Sequence, residues 1–102
     1  MQTFTKKKIE IVVEATYVSR VLEAAAAAGA KGHTIIPKIK GSGAHGERKG
    51  SGLSGAFENV MIVCVVDKAV APAVMEAIQN AIGDAIGILY ASDVDVLRDE
   101  HF

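Results

Sequence analysis

The stretch FENVMIVCVVD, residues 57–67, is apolar at every position from Val60 to Val66. Its short length and its β-branched residues favour a strand over a helix. Successive side chains of a strand point to opposite faces, and here both sets are apolar: Val60, Ile62, Cys64 and Val66 alternate with Met61, Val63 and Val65. The sequence therefore predicts a strand that is buried on both faces.

The segments on either side of this strand predict the order β-α-β-β-α-β. Alternating, β-branched segments indicate further strands at 7–15 (KKIEIVVEA), 32–40 (GHTIIPKIK) and 86–97 (IGILYASDVDVL). Apolar stripes at helical spacing indicate helices at 16–28 and 67–82. This order is that of the ferredoxin-like fold, an α+β sandwich in which both helices cover one face of an antiparallel sheet.

Single residues indicate where these elements end. Thr16 and Asp67 are predicted to cap the two helices at their N-termini, and Gly29 suits the left-handed turn after the first helix. Pro37 has no N–H to donate, so the second strand is expected at an edge of the sheet. The lysines at 6–8 are interpreted as a solubilising start of the first strand.

The face of the sheet turned away from the helices should be polar if the chain acts alone. One of the two apolar sets of 60–66 must lie on that face instead. No segment of the sequence is left to cover it, so copies of the chain are expected to do so. The sequence therefore predicts a homo-oligomer.

Composition limits the classes of function that are open to this chain. Its 102 residues fit a single domain, residues 1–102, and the formal charge of −1 provides no field that attracts nucleic acid or an anionic membrane. No run approaches the roughly 20 apolar residues of a membrane span, and no signal sequence is evident. Cys64 is the single cysteine, which excludes an internal disulfide framework. We expect a cytoplasmic protein without membrane insertion.

Residues 38–57, KIKGSGAHGERKGSGLSGAF, hold six of the ten glycines. GSGAHG at 41–46 matches GxGxxG, but the residues after it cannot form the amphipathic helix of a dinucleotide fold. Consecutive glycines allow backbone N–H groups to converge on an anion, to which Lys40, Arg48 and Lys49 add charged donors. A disordered hairpin loop is the alternative interpretation. Ordering such a loop costs about 1–2 kcal/mol of backbone conformational entropy per residue. This cost favours a sensor whose loop is ordered by its ligand over a rigid catalytic site.

With these elements in place, the sequence resembles the PII family of signalling proteins over nearly its whole length. The matching segments are KKIEIVVEA (7–15), AGAKGHTII (28–36), KGSG (40–43), VMEAIQNAIG (74–83) and GILYASDVDVLR (87–98). The resemblance implies a ferredoxin-like homotrimer without chemistry of its own, which binds an adenine nucleotide in each cleft between subunits. Residues 40–56 would be the T-loop that engages a membrane transporter or a regulator protein, and residues 98–102 would be a short tail.

The resemblance also implies which residues bind ligands. The nucleotide-binding residues would be His33, Thr34, Lys40, Gly41, Ser42, Gly43, Asn59, Val60, Gly83, Asp84, Gly87 and Arg98. Of these, His33, Thr34 and Arg98 would reach the nucleotide from the neighbouring subunit. The anion or bicarbonate ligands would be Gly41, Ser42, Gly43, His45 and Arg48.

Departures from the family pattern narrow the expected ligands. The T-loop lacks the tyrosine that some PII proteins have uridylylated. The segment IGDAIG, 82–87, is a contracted second glycine loop without the expected lysine, so ADP or AMP would be favoured over ATP. Among PII-like proteins the sequence is most similar to the carboxysome-associated branch, which implies bicarbonate binding and a link to inorganic-carbon uptake.

Two other classes of function compete with this regulator. A small ferredoxin-like hydrolase acting on a nucleotide or an acyl phosphate needs an Arg and an Asn near the first strand and helix, where EATYVSR (14–20) offers only Arg20. RNA binding needs exposed aromatic side chains on the middle strands, and NVMIVCVVD (59–67) has none. The three histidines lack metal-ligand spacing. No catalytic residue, metal site or catalytic cofactor is therefore expected.

Overall fold

The computed structural model describes residues 1–43, 46–47 and 58–102, and its elements follow the predicted order. In chain order they are β1 (Phe4–Glu14), a 3-10 helix (Ala15–Tyr17), α1 (Val18–Ala28), β2 (Thr34–Ile39), β3 (Ser42–Gly43), β4 (Gly46–Glu47), β5 (Asn59–Val66), α2 (Ala71–Ile82) and β6 (Ile88–Val96). The main sheet is antiparallel with the strand order β2-β5-β1-β6, and β3 pairs with β4 in a separate two-stranded sheet. The ferredoxin-like α+β fold is confirmed.

Helices α1 and α2 pack on one face of the main sheet and enclose the core. Of the two apolar sets of β5, the one that faces the helices is Val60, Ile62, Cys64 and Val66. The other core residues are Ile9, Ile11 and Val13 of β1, Val21 and Ala25 of α1, and Val74, Ile78 and Ile82 of α2. Burial raises the pKa of the Cys64 thiol, as expected for a packing residue. Within the described ranges, neither helix is long and apolar enough to cross a membrane.

Both predicted helix caps are wrong. Thr16 lies inside the 3-10 helix, because the backbone N–H of Ala15 donates to the carbonyl oxygen of Glu58 and the chain turns tightly at that point. Helix α1 therefore begins at Val18 without a side-chain cap. The carboxylate of Asp67 is bound by Lys6, while its carbonyl oxygen accepts hydrogen bonds from the N–H groups of Val70 and Ala71 at the start of α2.

The strand boundaries also differ from the predictions. Strand β1 begins earlier, at Phe4, because Phe4 pairs with Val96 across the sheet. The other three main strands are shorter than expected, at 34–39, 59–66 and 88–96. The prediction that β2 lies at an edge is confirmed, and the pairing register of β2 shifts between Ile36 and Ile39, around Pro37.

Gly29 ends α1 in the left-handed region, with a φ of 121°. A Cβ added there would lie 2.8 Å from Cγ1 of Val70, so the position combines backbone strain with a close approach to the start of α2. We expect Gly29→Ala to lower the free energy of unfolding by about 1–3 kcal/mol in urea denaturation. Gly32→Ala is the matched control, because a Cβ there meets no atom within 4 Å. An equal loss in the two variants would contradict this account.

The sheet face turned away from the helices, here called the outer face, carries an apolar row. The strand register aligns Ile36, Met61, Val12 and Ile88 across all four main strands. Met61, Val63 and Val65 are thus the set that points away from the helices. Ile36 and Ile88 remain 41% and 42% exposed in the single chain. The outer face, which also carries Lys8, Glu10 and Tyr90, therefore has an apolar row where a self-sufficient sheet would be polar.

Candidate functional site

The predicted ligand-binding residues fall at opposite ends of the main sheet. One end, here called the loop end, holds the end of β2 and the start of β5, where Ile39 pairs with Asn59. The other end, here called the tail end, holds the start of β2 and the end of β5. The segment that follows β6, after Val96, lies at this end too. The antiparallel register thus divides the predicted site into two groups.

At the loop end, Lys40, Gly41 and Ser42 are exposed where the chain leaves β2. Asn59 is 6% exposed beside them, whereas Val60 lies in the core and can offer a ligand only its backbone. The backbone at Gly43 is paired with Gly46. The residues predicted at 45 and 48 lie outside the described part of the chain.

The turn between α2 and β6 reaches the same end of the sheet. Gly83 ends α2 with a φ of 60°, and Asp84 is exposed. A Cβ added at Gly87 would lie 3.1 Å from Cγ1 of Val13 and 3.3 Å from the carbonyl oxygen of Val12. Gly87 thus allows the turn to lie against the last residues of β1.

At the tail end, a pocket of about 200 Å³ lies over the start of β2. It brings together two predicted residues, His33 and Thr34, and its walls are Gly32, His33, Thr34, Val63, Val65, His101 and Phe102. Arg98, also predicted, is exposed in the segment after β6 but does not line this pocket. Ligand sites usually occupy about 300–1,000 Å³, so this pocket alone is smaller than such a site.

A single chain cannot bring the two groups to one ligand. Six residue steps along β5 separate Asn59 from Val65, and a strand rises about 3.3 Å per residue. The loop end and the tail end are therefore on the order of 20 Å apart by the same rise. A ligand that contacts both would have to lie between the loop end of one copy and the tail end of another.

Lys6 holds the chain that follows β6 at the tail end. Its ammonium lies 2.6 Å from Oδ1 of Asp67 and 2.6 Å from Oδ1 of Asp99, donates to the carbonyl oxygen of Asp99 at 3.1 Å, and lies 5.6 Å from the centre of the Phe102 ring. The hydrogen bonds to Asp67 and then Asp99 raise the pKa of Lys6 above its usual value. Lys6 is buried, so its interpretation as a solubilising residue is wrong.

The acidic side chains of β6 are engaged by neighbours on β1. Lys7 binds Asp93 at 2.8 Å, and the hydroxyl of Thr5 donates to Asp95 at 3.1 Å. The hydrogen bond from Lys7, together with the charges of Lys68 and Lys7, lowers the pKa of Asp93. Asp93 is thus paired with a lysine and Asp95 with a hydroxyl, an arrangement that does not resemble an acid–base pair sharing a substrate.

Five residues of the pocket were not predicted as site residues from the sequence: Gly32, Val63, Val65, His101 and Phe102. Strand alternation places Val63 and Val65 on one face with Thr34, so the signal for the two valines was present once the register was known. His101 and Phe102 carried no such signal, because their position at the pocket depends on Lys6, which is 95 positions away from His101 in the sequence. Within residues 1–43, 46–47 and 58–102, no cluster of three or more potential metal ligands occurs.

The chain matches the family described as nitrogen regulatory protein P-II over residues 6–101. It is similar to CPII, a nitrogen regulatory PII-like protein from Thiomonas intermedia K12 solved with ADP, AMP and bicarbonate: the TM-score is 0.84 at 26% identity, over 95% of this chain and 92% of that one. It is also similar to a PII-like signaling protein from Thermus thermophilus, with a TM-score of 0.78 and 29% identity over 98% and 97% of the two chains. None of the curated proteins compared with the chain matches it.

Proposed function

Because the chain belongs to the nitrogen regulatory protein P-II family, we propose that it is a regulator that binds ADP or AMP at a site shared by two copies of the chain. The observation that carries this proposal is the division of the predicted ligand residues between two ends of one sheet, on the order of 20 Å apart. The bound nucleotide contacts residues 40–43 of one copy and His33, Thr34 and Arg98 of the next copy.

The proposed assembly is a homotrimer. An interface between the loop end of one copy and the tail end of another joins two different surfaces, and such contacts either close into a ring or continue as a filament. A closed ring also allows the apolar outer faces to meet around its axis, which removes Met61 and Ile88 from water. The resemblance to PII proteins supports three copies.

The loop end has the chemistry expected of an anion site. Lys40 supplies an exposed ammonium, and the backbone N–H groups of Gly41 to Gly43 can turn toward a phosphate or a bicarbonate because glycine tolerates the required backbone angles. His45 and Arg48 are the further proposed bicarbonate ligands. The CPII structure, with ADP, AMP and bicarbonate bound, supports this ligand set.

The proposed regulator acts by contact and catalyses no reaction. Residues 40–56 engage a partner, proposed to be an inorganic-carbon transporter or a regulator protein met in the cytoplasm. The nucleotide and bicarbonate change that contact by binding at the base of the same segment, at Lys40 to Gly43. Release of phosphate from ATP or from an acyl phosphate above background would contradict the non-enzymatic role and favour the hydrolase.

We expect ADP and AMP to bind more tightly than ATP, by about tenfold, because the 82–87 turn lacks a lysine to contact the γ-phosphate. Calorimetric titration with each nucleotide measures this order directly. A second titration, with bicarbonate at millimolar concentration, should give heat when ADP is present. If ATP bound most tightly, the expected preference for ADP and AMP would be wrong. If bicarbonate gave no heat, it would be removed from the proposed ligands. If none of the three nucleotides bound, the proposed function would be overturned.

A further inference from the structure

The segment after β6 is fixed to the tail end by one buried cation. The side chain of Lys6 is 7% exposed, and it holds the carboxylates of Asp67 and Asp99 at 2.6 Å each. Asp99 is bound twice, since its carbonyl oxygen also accepts a hydrogen bond from Lys6. The three residues join the start of β1, the end of β5 and the segment after β6 at a single ammonium group.

The exposure of the three side chains shows what this cluster does. Asp67 and Asp99 are 46% and 65% exposed, so water could solvate both carboxylates without any lysine. The buried partner is the lysine, and a buried ammonium must be paired to remain charged. The cluster therefore does not serve to neutralise buried acids; its consequence is that residue 99 has a fixed place over β1.

Three further observations show that the fixed segment shapes the tail-end pocket. His101 and Phe102 line the pocket together with His33 and Thr34. His101 has a φ of 81°, a conformation that residues other than glycine rarely adopt without surrounding contacts that hold them. The ring of Phe102 also lies within cation–π distance of the Lys6 ammonium. Lys6 thus contacts both Asp99, which precedes the turn, and Phe102, which follows it.

We propose that Lys6 is a positioning residue for the nucleotide site: through Asp99 and Phe102 it holds residues 99–102 as a wall of the tail-end pocket. This inference rests on the proposed function, because it assigns the pocket to one half of an adenine nucleotide site. Phe102, Val63 and Val65 present apolar surface, which fits the purine base and not the phosphates. The phosphates would then lie at the loop end of the neighbouring copy.

The test compares ADP affinity in Lys6→Met, Asp99→Ala and Lys7→Met by calorimetry. Lys6→Met keeps the length of the side chain and should weaken ADP binding about tenfold, since the charged contacts to the segment are lost. Asp99→Ala changes an exposed side chain, so it preserves folding and should weaken binding in the same direction. Lys7→Met is the matched control: the Lys7 and Asp93 side chains are 35% and 56% exposed, and loss of this pair should change the affinity by less than about twofold.

A double-mutant cycle separates positioning from a general structural effect. Phe102→Ala removes the aromatic wall, and in that background Lys6→Met should weaken binding by less than about twofold further, because no wall remains to be positioned. Fully additive losses, or native affinity in both Lys6→Met and Asp99→Ala, would overturn the inference while leaving the proposed function intact. Absence of ADP binding by the native protein would overturn both.

Discussion

A mixture of two chains that each bind ADP poorly is expected to regain about a quarter of the native binding sites. The two variants are Lys40→Ala, at the loop end, and Arg98→Ala, at the tail end. Both side chains are exposed in the single chain, so neither change should disturb the fold. Each variant alone should bind ADP about 10- to 100-fold more weakly, because it loses one charged contact to a phosphate.

The recovery follows from the geometry of a shared site. In assemblies refolded together from equal amounts, an intact site needs a loop end from an Arg98→Ala chain and a tail end from a Lys40→Ala chain. Each choice has a probability of about one half in a random ring, so about a quarter of the sites are intact. If both residues served one site within one chain, every site would carry a defect.

Calorimetry or equilibrium dialysis at an ADP concentration near the native dissociation constant would count the recovered sites. Arg20→Ala and Lys68→Ala, changed and mixed in the same way, are the matched controls, because both are exposed charged residues outside the proposed site. Mixed assemblies without any recovery would show that Lys40 and Arg98 do not meet across an interface.

The second large effect is expected from Met61→Glu on the outer face. Met61 lies in the apolar row with Ile36, Val12 and Ile88. If this face is buried between copies, a carboxylate at position 61 loses its hydration, at a cost of several kcal/mol for each chain unless it gains a partner. Lys8, on the same face, lies opposite Val65 and is already paired with Glu10, so it is not placed to pair with a carboxylate at position 61. We expect the assembly to dissociate into single chains of 10.7 kDa.

Sedimentation or light scattering would give the mass, and circular dichroism would confirm that the helices persist. Met61→Leu is the matched control, since it keeps the position apolar with a similar volume. ADP binding should be lost together with assembly in Met61→Glu, because each half of the site is then left alone. A Met61→Glu protein of native mass would show that the outer face is not the interface.

The core was predictable because it depends on local periodicity. Ile9, Ile11 and Val13 alternate, and Val74, Ile78 and Ile82 recur at helical spacing, so both patterns indicate which side chains face inward. The helix starts were not predictable in the same way. Thr16 and Asp67 are good capping residues by type, but Ala15 bonds to Glu58 and Asp67 bonds to Lys6, and both bonds depend on the complete sheet.

The site was predictable only in part, and from the family resemblance instead of from periodicity. Resemblance to PII proteins indicated His33 and Thr34, which the structure brings into one pocket. The role of Lys6 could not be predicted, because three adjacent lysines at a strand start look alike in the sequence. Only the pairing of β1 with β5 and β6 shows that the first of them is buried beneath the segment after β6.

The most direct test of the shared site is the mass of the native complex measured with ADP. The account predicts three chains, at three times 10.7 kDa, with up to three ADP molecules bound and with the nucleotide lost when the assembly is dissociated. A single chain that carries one ADP, or a trimer that binds no adenine nucleotide, would contradict it.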